Sequence, residues 1–336
     1  MNNSHILKID TNVFHTIPHF TPGISILKAH NENNYKKWIM SYCYSMYLHT
    51  ESLLKSIIHL TIHPTTTHDF CEMLDTYVIP YEIINKQTVI ELLNNGYYIW
   101  TLYNTFHVSK CIYAYNRYHY PHWVLVHGYS KDESELNVFG ADFIFNNSRK
   151  YSSEMFPLSE FLKSLKNIHF EELNKGYSYG VSAIKYKEME YDVDKPLLIK
   201  CIINHLNSSE PSYYYNWRPF KEHDGKINGL KAYRAVIDAI SSLGEIDFHA
   251  RRSLYILSIH TQIVNQIVNY FYCDLIDLSV KFVDLAKKLA QYSLKLNIQN
   301  TFSLNDYHKI ETMITDLELL DEEISSKLYK YLVSHV

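Results

Sequence analysis

The chain has 336 residues, 46% of them hydrophobic and 20% charged, with a formal charge of −4. That length buries a large core and predicts two domains, while the charge offers no basic surface of the kind nucleic acid requires. No apolar run reaches the roughly eighteen residues of a membrane helix, and the start lacks the basic-then-apolar order of a signal peptide, so a cytoplasmic location is expected.

Residues 1–30 alternate polar and apolar around Pro18 and Pro22 without a clear period and read as an irregular or extended lead-in. From Asn34 the pattern changes. Trp38, Ile39, Tyr42, Cys43, Met46, Tyr47, Leu54, Ile57 and Ile58 recur at helical spacing and Pro64 follows, which predicts one long, largely buried helix with Asn33 or Asn34 as its N-cap. A second helix is predicted over 86–93, closed by Asn94-Asn95-Gly96. Strands follow over 97–102, 122–129 and 136–145. The polar segment 130–135 makes an antiparallel hairpin of the last two.

After residue 175 the character shifts. Apart from a strand near 180–187, the spacing predicts helices over 229–242, 252–272, 275–296 and 306–332, preceded by a polar, glycine-containing connector over 221–226. The expected fold class is α+β. A long helix packed on an antiparallel sheet fills 1–175, a mainly helical region fills 176–336, and the boundary falls loosely between 175 and 225.

Several chemistries are excluded by pattern. The 9 glycines form no GxGxxG, P-loop or GxSxG motif. The five cysteines are scattered, odd in number and without a CxxC pair, so neither a disulfide framework nor a zinc site is expected. There is no HExxH, and none of the 19 histidines shows local metal-ligand spacing, so no bound metal or cofactor is expected. The 30 tyrosines accompany abundant Asn, Lys and Ile, and reflect base-composition drift more than a stacking platform.

The strongest local signal is Tyr120-Pro121-His122-Trp123-Val124-Leu125-Val126-His127-Gly128-Tyr129, followed by Val138-Phe139-Gly140-Ala141-Asp142. A histidine opens a buried strand and an aspartate closes the next. In a hairpin those two ends are neighbours, as a catalytic base and its orienting carboxylate must be; the alternative is a structural strand-end pair. His127 falls on the opposite face and reads as a packed histidine.

His-x-x-Leu-Val-x-Gly-Tyr and the later Asp142 resemble the papain-like domains of bacteriocin-processing cysteine peptidases, and more closely the butirosin-biosynthesis H-type acyltransferases. The segment Glu91-Leu92-Leu93-Asn94-Asn95-Gly96-Tyr97-Tyr98-Ile99 is similar to that family, as are Gly229-Leu230-Lys231-Ala232-Tyr233 and Ile246-Asp247-Phe248 in its helical C-terminal region. The resemblance implies a papain-like fold and an acyltransferase of natural-product metabolism. Such an enzyme takes an acyl group from the phosphopantetheine arm of an acyl or peptidyl carrier protein onto a cysteine and passes it to a small-molecule amine. The family places its nucleophile at the start of the first long helix, which makes Cys43 the implied nucleophile, His122 the base and Asp142 its orienter.

From the residues alone, Cys43 is either that nucleophile or an inert thiol on the apolar stripe with Ile39 and Met46. Cys71 is the fallback nucleophile; Cys111, Cys201 and Cys273 look structural, and residues 213–215 (Tyr213, Tyr214, Tyr215) a packed turn. Asn104 stands where the relatives tend to carry an acid. Three functions are expected in order: the amide-forming acyltransferase, a catalytically degenerate relative that binds a carrier protein or peptide, and a thioester or peptide hydrolase.

Overall fold

A computed structural model describes residues 4–13, 21–49, 58, 60–62, 72–141, 151–168, 180–209, 226–271 and 274–335. In chain order its strands are His5–Ile6 (β1), Met46–His49 (β2), Leu60–Ile62 (β3), Leu74–Pro80 (β4), Tyr98–Asn104 (β5), Pro121–Tyr129 (β6), Glu135–Ala141 (β7), Tyr151–Pro157 (β8), Gly180–Tyr186 (β9) and Lys226–Asn228 (β10). Its helices are Thr21–His30 (α1), Glu32–Tyr42 (α2), Lys86–Asn94 (α3), Leu158–Lys166 (α4), Lys195–Asn207 (α5), Lys231–Leu243 (α6), Phe248–Phe271 (α7), Ile276–Gln299 (α8) and Leu304–Ser334 (α9). The chain is mixed α/β, and its C-terminal part is helical.

Two compact units emerge, and they interleave along the chain. The first comprises Met1–Tyr35, His68–Glu190 and Arg218–Phe220; the second comprises Lys36–Thr67, Tyr191–Trp217 and Lys221–Val336. The residue pattern predicts one boundary, loosely between 175 and 225, and the break after Glu190 falls in that range. The division falls inside α2, and β9 lies beyond residue 175 yet belongs to the first unit.

The first unit is built on an antiparallel sheet ordered β4-β9-β5-β6-β7-β8, with β1 pairing onto β6. Its strands are rich in Val, Ile, Tyr and Trp; every residue of β5 is buried, so that strand runs through the core. The predicted hairpin of β6 and β7 is present, with Val124 opposite Gly140 and Leu125 opposite Phe139. A bulge lies between Val126 and Gly128. Gly128 is required there, because a Cβ would stand 2.4 Å from the His5 carbonyl oxygen where β1 joins.

Helix α1 corrects the expected lead-in. Pro22 reads as part of an irregular segment, yet a proline in the first helical turn removes only an N–H that has no helical partner. All of Thr21 to Leu27 is buried, so those residues present no solvent-facing polar side and show no period. His30 at its end stacks on Tyr186 of β9 at 4.4 Å and meets the Tyr98 hydroxyl at 3.0 Å. Helix α1 thereby lies on the sheet.

The long helix expected from Asn34 to Ile58 is not formed. Helix α2 ends at Tyr42, and Met46–His49 is a strand pairing with β3 and β10, with Leu48 opposite Leu60 and Ile227. Residues 50–57 and 59 lie outside the described set. Both structures explain the same apolar residues; what decides for a strand is a partner, β10, nearly 180 residues away in sequence.

The second unit is a helical assembly. Apolar stripes at i, i+3 and i+4 on α6, α7, α8 and α9 face one another, as Ile310, Ile314, Leu317, Ile324 and Leu328 do on α9. No helix among the described residues is long and apolar enough to cross a membrane.

Candidate functional site

His122 opens β6 inside the first unit, opposite Tyr103 of β5. Its side chain is 6% exposed and its Nδ1 donates to the Trp123 carbonyl oxygen at 3.1 Å. Burial pushes its pKa down to about 4, partly opposed by that hydrogen bond. The imidazole is therefore neutral, and its Nε2 carries the lone pair that a base needs. The expected partner of Nδ1, Asp142, lies outside the described residues.

Cys43 lies in the second unit, one residue beyond the C-terminal end of α2, where its N–H continues the helix by donating to Ile39 O at 2.9 Å. The family pattern requires a helix start. The difference matters electrostatically, because the N-terminal end of a helix stabilises a thiolate and the C-terminal end opposes one. The side chain is 0% exposed. Burial, then the neighbouring Cys201 thiol, raises its pKa well above the ordinary range. Cys43 is thus a protonated core thiol. Cys43 and His122 belong to different units.

The remaining candidates are also accounted for. Cys111 is the one described cysteine in the unit that holds His122; it meets the Tyr103 hydroxyl at 3.2 Å and burial pushes it up to about 12. Cys201 is buried on α5. Cys71, Cys273 and residues 213–215 lie outside the described residues. His127 is buried, as expected, with Nδ1 at 3.3 Å from Leu7 O and Nε2 at 3.2 Å from Ser153 Oγ.

Asn104 organises the loop that follows β5. Its Oδ1 accepts from Phe106 N at 3.1 Å, and its Nδ2 donates to Asn167 O at 2.9 Å and lies 2.8 Å from His119 Nδ1. The loop, residues 105–120, is a run of tight turns held by Ser109, whose N–H and hydroxyl both donate to Glu160 Oε2 at 2.7 and 2.8 Å. It presents Ile112, Tyr113, Tyr115, Tyr118 and Tyr120 to solvent, beside exposed Lys110 and Arg117. No Asp or Glu occurs between residues 92 and 131, although the chain as a whole is acidic.

No protein-family model and no curated protein matches this sequence. The chemistry must be read from its own side chains.

A second constellation escaped the sequence. His205 on α5, His260 on α7 and Asp321 on α9 converge in the helical unit, all fully buried. Residues so far apart in sequence show no local ligand spacing. The available signal was a charged residue on a core stripe: Asp321 interrupts Ile314, Leu317, Ile324 and Leu328, where an unpaired carboxylate is almost never found.

Proposed function

We propose that this chain is a papain-like protein of the butirosin H type that has lost thiol chemistry and binds an acidic carrier protein. The exposed aromatic and basic loop 105–120 carries this reading. Tyrosine and arginine are the side chains that anchor protein interfaces. A segment that exposes Lys110 and Arg117, and whose neighbouring carboxylate, Glu160, is taken up by Ser109, attracts a partner of opposite charge, including the phosphodiester of a phosphopantetheine arm. Two observations argue against catalysis by the family's route. Helix α1, which lies on the sheet beside the strands of His122, begins Thr21-Pro22-Gly23 and contains no cysteine. Cys43 is enclosed and protonated.

A second reading rests on His122. A neutral imidazole opening a buried strand is the protonation state a general base requires, and it supports the amide-forming acyltransferase in which His122 takes the proton of the nucleophile, returns it to the departing pantetheine thiol, and then takes a proton from the attacking amine.

One experiment separates the two. The full chain is titrated with a holo carrier protein by calorimetry and, in parallel, incubated with an acyl-pantetheine thioester for mass spectrometry. The binding reading expects a dissociation constant in the range of about 1–100 μM, weakened at least about tenfold by Lys110→Glu with Arg117→Glu and by added salt, with no acyl adduct. An acyl adduct that disappears in Cys43→Ala establishes the enzyme instead. Binding unaffected by the charge reversals removes the loop from the interface.

A further inference from the structure

The buried triad of the helical unit is unrelated to the carrier-protein surface and carries an inference of its own. Its stereochemistry is unusual for a hydrogen-bonded core. Asp321 Oδ2 lies 2.9 Å from His205 Nε2, 2.9 Å from His260 Nε2 and 2.9 Å from the Tyr233 hydroxyl. Among the described residues its other oxygen, Oδ1, takes only the Ser325 hydroxyl, at 3.0 Å. A carboxylate has about four lone-pair sites shared equally by its two oxygens, so three donors crowd one oxygen while the other is half used. As a network of hydrogen bonds this is lopsided.

We propose that His205 Nε2, His260 Nε2 and Asp321 Oδ2 are the ligands of one divalent transition-metal ion, zinc by preference. The three donor atoms lie within 4.8 Å of one another and each residue contributes one. Ligands of tetrahedral zinc at about 2.0–2.2 Å stand roughly 3.4 Å apart, so separations of 2.9 Å need each donor to draw back by only a few tenths of an ångström. With the ion in place, both Nε2 atoms present lone pairs and Oδ2 is left with one hydrogen bond, from Tyr233. A metal-bound Nε2 carries no proton, so the proton left on each imidazole sits on Nδ1.

Both Nδ1 atoms are buried without a partner among the described groups. Without the ion they are unpaired acceptors; with it they become N–H donors that need a partner such as a buried water. The donor set fixes the kind of ion: two imidazoles and one carboxylate suit zinc and its neighbours in the first transition row, and not calcium or magnesium.

The surroundings have the character of an outer shell. Tyr233 orients Oδ2, Ser325 holds Oδ1, and the Tyr44 hydroxyl meets Ser325 Oγ at 2.6 Å. Tyr44 presents a ring edge-on to His205 and His260 at 5.4 and 5.8 Å, and Phe282 does so to His260 at 6.2 Å. An apolar shell of this kind limits solvent access and lowers the local dielectric around a site. With the ligands on α5, α7 and α9, the ion ties three helices together, and because none of them is exposed it enters as the helices assemble.

The test uses the full chain, unfolded with chelator and refolded with equimolar Zn2+ or Co2+. One ion per chain is expected to survive gel filtration, Co2+ is expected to give the visible absorption of a tetrahedral site, and the melting temperature is expected to rise. His260→Gln keeps an N–H donor for Asp321 but no ligating nitrogen, and should lower affinity at least about a hundredfold while circular dichroism remains native. Should that variant fail to fold, Tyr233→Phe removes only an outer donor and should cost about 10–100-fold. Retention of less than about a tenth of an ion by the refolded wild-type chain overturns the proposal. So does wild-type retention by both variants, which would place the ion on other histidines.

Discussion

His122 and His127 share strand β6, and burial pushes the pKa of each down to about 4. The sign of the resulting pH dependence is fixed. In the unfolded chain these groups take up protons near pH 6.5, whereas the folded chain does not do so until about 4, so their stabilising effect is complete above 6.5 and is lost as pH falls from 6.5 towards 4. Each should cost about 2 kcal/mol on going from pH 7 to pH 5. Urea unfolding at the two pH values measures this, and His122→Gln should shrink the difference by about that amount; an unchanged difference would mean that His122 is not the group responsible. At Gly229 the prediction is steric. Its φ is +57, its N–H donates to Met46 O, and an added Cβ would stand 2.0 Å from the His205 carbonyl oxygen. Gly229→Ala should therefore destabilise by more than about 2 kcal/mol, and it should also displace His205, detectable as weaker Co2+ absorption. Residue by residue, the burial of His122 near the head of a strand was legible, because Val-Leu-Val follows it in a run that fits only a buried strand. The thiol was not legible, because a cysteine on an apolar stripe looks the same from sequence whether it sits at the start of a helix or past its end.

At the level of elements, the local rules held where they were sufficient. Helix α3 starts at Asn85, whose side chain accepts from Thr88 N at 3.1 Å, and ends at Asn95 and Gly96, the latter with φ +80. Asn85→Ala should cost about 1 kcal/mol, read as a lower melting temperature with no change in native circular dichroism; an unchanged melting temperature would make the cap redundant. Helices α6 to α9 were legible for a related reason. Each carries an apolar stripe long enough that only a period of 3.6 fits it. The failures lie where the deciding partner is distant. Met46 to Leu48 forms a strand because Lys226–Asn228 and Leu60–Ile62 flank it, and nothing within the segment announces either neighbour. Helix α1 failed in the other direction, since burial on every side erased the polar face that reveals a helix.

On the scale of the whole molecule, interleaving decides what can be cut. Strand β9 lies between β4 and β5, pairing with Leu74–Pro80 along its full length and with Tyr98 to Trp100 on its other edge. A fragment of residues 1–175 therefore loses an interior strand and leaves two apolar edges open. It should show no cooperative thermal transition, whereas a fragment of residues 1–190, although it carries the 36–67 segment of the second unit without its partners, should regain one from the completed sheet. A sharp transition for the shorter fragment would refute the interior role of β9. The position of Asp321 has a further consequence, for biosynthesis. The carboxylate follows His260 by 61 residues, which at about 5–20 residues per second is a delay of roughly 3–12 s on the ribosome. Throughout that interval α5 and α7 have been translated while the side chain that reconciles their two imidazoles has not, so the helical core closes only late in translation or after release. A nascent chain in that window exposes greasy helix faces to whatever chaperones attend the ribosome, and slow codons downstream of His260 would prolong the exposure.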